Sequence, residues 1–163
     1  MALIATPFTQ EQFLNVFSQY NNTVFPLQIF FVILGIAALG LAIKKSQLSD
    51  RIIFLILSFF WFWIGIVYHI IFFSSINPLA YVFGVLFTVE AVFLLYFGVI
   101  KKQVEFRLAQ NVYAIIGLLL IIYSLIIYPL IGTYLGHGYP RLPTFGLPCP
   151  TTIFTFGIFF NGR

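Results

Sequence analysis

Between Arg51 and Asn77 the chain reads RIIFLILSFFWFWIGIVYHIIFFSSIN, and its one ionisable side chain inside the apolar part is His69. The apolar part is roughly 22 residues long and, at about 1.5 Å of rise per residue, covers about 33 Å, which matches the hydrocarbon core of a bilayer. Helical spacing puts Trp61, Gly65, His69 and Phe72 or Phe73 on one face. The run reads as a membrane-spanning helix with a polar position aimed in one direction.

Composition supports that reading along the whole chain. Of the 163 residues, 61% are hydrophobic and only 7% are charged, against about a quarter charged in a soluble domain. A soluble globular fold is therefore excluded, and the 22 Phe suit lipid-facing and interfacial surfaces. The net charge of +4 does not point to nucleic acid, because the Lys and Arg sit at predicted helix ends, where they set topology. With one cysteine, Cys149, no intramolecular disulfide can form. The start, MALIATPFTQEQF, lacks a signal-peptide pattern, so the first span is expected to be its own insertion signal.

Residues 9–22 open with Thr9 and Gln12 in capping-box spacing, and Phe13, Val16, Phe17 and Tyr20 follow at helical spacing. They predict a short amphipathic helix lying in the membrane interface. Four spans are expected over residues 26–43, 52–73, 79–100 and 112–134. In the first, Gly35, Ala38 and Ala42 share a small-residue face that lets helices approach closely. Asp50 is expected to cap the second, and Asn77 with Pro78 to start the third. Residues 101–111, KKQVEFRLAQN, read as a short interfacial helical extension, and Pro129 is expected to bend the fourth span. Residues 136–150 form a Gly/Pro-rich outer loop, and residues 151–160 are too short to cross comfortably. The expected architecture is an all-α membrane protein, one integral membrane domain over 1–163: a short interfacial N-terminal helix, four transmembrane helices and a partial fifth. Lys44, Lys45 and Arg51 lie in one loop and Lys101, Lys102 and Arg107 in another. The positive-inside rule then puts both in the cytoplasm and the amino terminus outside the inner membrane.

The candidate functional residues are Glu90, His69, Tyr68 and Asn77, with His69, His137 and Cys149 as a candidate metal set. Glu90 lies mid-span, where a carboxylate costs about 3 kcal/mol to insert; it reads either as a proton or cation relay or as a neutral group bonding a neighbouring helix. His69 is expected to face the bundle, making an ordinary interhelical hydrogen bond or taking part in metal, haem or proton chemistry. Two imidazoles and a thiol at one membrane boundary are a donor set for zinc, copper or another soft metal; an inert thiol in a rigid loop is the plain alternative. Cys149 between Pro148 and Pro150 is similar to the Cys-Pro pair of heavy-metal pumping ATPases, but no ATP-binding loop accompanies it. No Ser-His-Asp set, phosphate loop, haem-attachment motif or internal repeat is present, so the sequence gives no catalytic assignment.

Three stretches, PFTQEQFLNVFSQYN, WFWIGIVYHIIFFSSINPLAYVFG and YPRLPTFGLPCPTTIFTFG, resemble a family of small polytopic bacterial membrane proteins classed as a domain of unknown function. The resemblance singles out Trp61, Trp63, Tyr68, His69, Asn77, Pro78, Pro148, Cys149 and Pro150, and it implies a membrane fold without supplying an activity. It also implies further hydrophobic helices beyond the last block, where this chain stops at FFNGR. The functional expectation is a small transporter or permease-like protein for a soft metal ion or small solute, with the bilayer as its surroundings. A haem-binding or electron-transfer subunit with His69 and His137 as axial ligands is the first alternative. The second is a non-catalytic structural partner, as a homo-oligomer or beside another membrane protein.

Overall fold

The computed structural model describes residues 7–106 and 111–160. Those residues form six helices and no strand: α1 (Gln10–Val24), α2 (Leu27–Ile43), α3 (Ser49–Ser75), α4 (Ala80–Ile100), α5 (Val112–Tyr134) and α6 (Pro148–Phe159). Helices α3, α4 and α5 are each long and apolar enough to cross a membrane. At 17 residues, α2 passes that test only when joined to α1, and the two meet at 86°. The spans therefore number three, or four if the bent pair counts as one.

The end of α1 is set as its sequence requires. Thr9 Oγ1 accepts from the Gln12 N–H at 3.2 Å, and Gln12 Oε1 accepts from the Thr9 N–H at 2.8 Å, so two orphan donors are satisfied reciprocally. Its apolar stripe buries Val16, Phe17 and Tyr20, as the spacing predicts. These side chains pack on the last turns of α3, with Ile64, Tyr68 and Phe73, rather than facing outward. The second cluster, around Phe31, Phe54, Phe60 and Phe154, joins α2, α3 and α6.

Lipid tails are as apolar as the side chains, so burial alone gives little drive for helices to associate there; close packing and hydrogen bonds must hold them. Two crossings meet that need with glycine. A Cβ added at Gly65 of α3 would lie 2.8 Å from the Gly84 carbonyl oxygen of α4. One added at Gly157 of α6 would lie 2.8 Å from the Gly117 carbonyl oxygen of α5. The predicted small face of α2 is buried too, with Gly35 against Phe145 and with Ala38 and Ala42 closed off from solvent. Polar bonds add to this: Ser58 Oγ donates to the Ala91 carbonyl at 2.8 Å, and Trp61 Nε1 donates to Thr155 Oγ1 at 3.0 Å.

Several boundaries differ from the sequence expectation. Asp50 does not cap α3, which starts one residue earlier; its carboxylate instead accepts from the Phe106 N–H at 2.9 Å and pairs with Lys45 at 3.4 Å. Lys45 also bonds Glu105 at 2.9 Å, which holds its ammonium above the usual lysine range. This cluster ties the ends of α2, α3 and α4 together. Asn77 does work as a start signal, accepting from the Leu79 N–H at 3.1 Å, although α4 itself begins at Ala80. Residues 101–106 are not helical, and Arg107 lies outside the described residues. Pro129 is accommodated by a π-helical segment, Tyr123–Ile127, just ahead of it; α3 and α4 carry π segments as well, at Ile64–Phe72 and Leu95–Ile100. The loop after α5 ends at Leu147, so Pro148, Cys149 and Pro150 form the first turn of α6, with proline where the missing N–H is harmless.

Candidate functional site

The end of the molecule opposite the Lys45 cluster contains a cavity of about 260 Å³. Phe13 and Phe17 of α1 cover it, Tyr68, His69 and Phe73 of α3 form one wall, and Phe83 and Phe87 of α4 form another. Pro143 and Leu147 of the loop and the Pro148–Pro150 turn of α6 complete it. His69 is 5% exposed, and neither ring nitrogen has a hydrogen-bond partner. Its ring lies 4.8 Å from Phe87 and 5.7 Å from Phe83, between centroids. Trp61 stacks on Phe87 at 4.6 Å, so Trp61, Gly65 and His69 do share one face and it meets α4. A neutral imidazole carries one donor and one lone pair, and leaving such a group buried and unpaired costs about 1–3 kcal/mol. The interhelical hydrogen bond expected of His69 is not formed.

The proposed metal set does not assemble. Among the described residues no group of three or more His, Cys, Asp or Glu side chains could hold a metal ion. His69 and Cys149 line the same cavity, and Cys149 is exposed at its rim beside Tyr68 and Tyr128. His137 lines a neighbouring cavity of about 250 Å³ with Tyr123, Tyr128 and Leu14, the two sharing Phe17 and Pro143. His69 and His137 thus line different cavities. Glu90 is half-buried near the middle of α4, and no hydrogen bond or ion pair holds it among the described residues. Tyr68 is buried against Phe73 and Tyr20. Asn77 is buried as well, and its bond to Leu79 gives it a structural part.

Two residues that the sequence did not single out hold the cavity's roof. Tyr20 donates to the Gly146 carbonyl at 3.1 Å and accepts from Trp63 Nε1 at 2.9 Å. Asn21 donates to the Pro140 and Leu142 carbonyls, both at 2.7 Å, and accepts from Thr144 at 2.7 Å and Gln28 at 3.4 Å. Tyr20→Phe keeps the ring and strands the Trp63 N–H and the Gly146 carbonyl, so it should lower stability by about 2 kcal/mol in a thermal unfolding experiment.

Residues 10–162 match the family model of DUF6064, a family of unknown function. The chain belongs to DUF6064. The match takes in all six helices of the structure, so α1, the cavity and the α6 turn all fall within the family's span. No curated protein and no solved structure matches the chain.

Proposed function

We propose that the protein binds a small, largely apolar solute in the His69 cavity, as the first step of permease-like transport across the cell membrane. The single observation that carries this reading is the buried imidazole with both nitrogens unpartnered inside an otherwise apolar, aromatic wall. Such a group is costly when empty-handed and becomes favourable when a ligand supplies one hydrogen bond. A soft metal ion is the weaker reading, because three donors do not converge.

Charge supports an orientation with the amino terminus outside. Lys44, Lys45, Arg51, Lys101 and Lys102 cluster at the end away from the cavity. At the cavity end Arg141 is paired with Glu11 at 2.8 Å. The positive-inside rule then puts the cavity on the outer side.

Thermal unfolding of the purified protein in detergent, with naphthalene or 2-naphthol added, tests the binding step. 2-Naphthol should bind about tenfold more tightly than naphthalene, the equivalent of about 1.4 kcal/mol from one hydrogen bond, and raise Tm accordingly. His69→Phe should abolish the difference between the two. Equal stabilisation of the native protein by both compounds would show that the imidazole recognises nothing.

A further inference from the structure

The cavity has a roof and walls, and it also has an open side. α1 turns 86° from α2 and lays Phe13 and Phe17 over the end of the cavity, while Pro143 and Leu147 close the same end. The flanks are arranged differently. α4 packs on α3, and α6 packs on α5 and α2. Trp61 of α3 stacks on Phe87 and bonds Thr155, and toward the first turn of α6 the space between α4 and α6 is the cavity itself. Phe83 on α4 and Cys149 on α6 both line the cavity and both are exposed, Phe83 to 41%. α4 is apolar on its outward face as well, with Val82, Leu86 and Phe93 exposed. On a membrane-spanning helix an outward apolar face meets acyl chains, and Phe83 lies on that face at the edge of the cavity.

We propose that the cavity is filled sideways from the hydrocarbon layer and takes the ring of a tailed quinone, with its tail passing out beside Phe83. This rests on the solute-binding reading of His69 given above. Three observations fit that class of ligand. Six aromatic side chains, from Phe13, Phe17, Tyr68, Phe73, Phe83 and Phe87, suit a flat ring. The unpaired imidazole can donate one hydrogen bond to a ring carbonyl oxygen. Size sets the third: an apolar cavity of about 150 Å³ holds benzene. A volume of about 260 Å³ therefore admits a substituted ring but not a hydrocarbon chain as well. The chain must stay outside, and the open flank is where it can lie.

Cys149, the only cysteine, stands at the rim and reports on both claims. The experiment measures its modification in proteoliposomes, with Cys149→Ser as the blank. The reagents are lipid-soluble N-phenylmaleimide and a charged sulfonatoethyl methanethiosulfonate present on both faces. N-phenylmaleimide should react faster than the sulfonate reagent, each rate taken relative to that reagent's rate with a small thiol in water, because the thiolate is the nucleophile. Decylubiquinone at about ten times its Kd should slow the reaction about tenfold, as the free fraction of sites falls. Reaction with the sulfonate reagent at a comparable relative rate overturns lateral filling. Protection by 2-naphthol without protection by decylubiquinone overturns the quinone assignment and leaves the His69 reading standing. Protection by neither overturns this inference, and the Tm comparison of 2-naphthol with naphthalene decides the His69 reading separately.

Discussion

Replacing Asn21 by Leu is expected to lower stability by about 3 kcal/mol or more, although the residue touches no candidate ligand. An amide side chain offers two donors and two acceptor positions, and at Asn21 all four are used. Leucine is similar in size, so packing is largely kept while the Pro140 and Leu142 carbonyls and the Thr144 hydroxyl lose their partner. Asn21 is fully buried, so water cannot replace those bonds without opening the roof. Thr144→Val removes only one of the four and should cost about 1 kcal/mol. Unfolding in detergent, monitored by circular dichroism, gives both values. If Asn21→Leu costs no more than Thr144→Val, the residue is not the clamp described. Limited proteolysis supplies a local readout, because residues 139–147 should become susceptible in Asn21→Leu before the helices melt.

Gly65→Val should be about as damaging, costing about 3 kcal/mol, for the opposite reason. At Asn21 partners are lost; at Gly65 atoms are forced together. A Cβ there would lie 2.7 Å from Thr88 Oγ1, 2.8 Å from the Gly84 carbonyl oxygen and 3.1 Å from the Thr88 nitrogen. Two of those three belong to the α4 backbone, which cannot swing aside as a side chain would, so α3 and α4 must separate. Separation forfeits dispersion contacts, which in lipid no hydrophobic term restores. Gly40→Val is the matched control, since a Cβ at Gly40 meets nothing within 4 Å. Equal unfolding temperatures for the two variants would mean that the α3–α4 crossing tolerates expansion.

How much of this could be read from the residues differs from element to element. Long apolar runs placed α4 and α5 almost to the residue, because length and hydropathy act locally, whereas α3 begins earlier, at Ser49, than its apolar run. The capping box at Thr9 and Gln12 was legible for the same reason. Asp50 was misassigned because a short polar loop offers several caps, and its partner Phe106 lies 56 positions away. The loop residues Pro148 to Pro150 looked too proline-rich for a helix, yet a first turn has no need of those N–H groups. At the site, the burial of His69 followed from the cost of an imidazole in lipid. Its separation from His137 did not, since that depends on how α1 and Pro143 divide one space into two cavities. Asn21 left no signal at all: one asparagine in an amphipathic helix looks like any other until its four partners are in place.

The distance along the chain between Asn21 and those partners has a consequence for biogenesis. Thr144 is 123 positions beyond Asn21, and a ribosome adding 5–20 residues per second needs about 6–25 s to reach it. Throughout that interval Asn21 lacks its loop partners, although the apolar side of the same helix can already rest on Ile64, Tyr68 and Phe73. The roof of the cavity is thus seated in two steps, on α3 early and on the loop around Pro140 and Thr144 late.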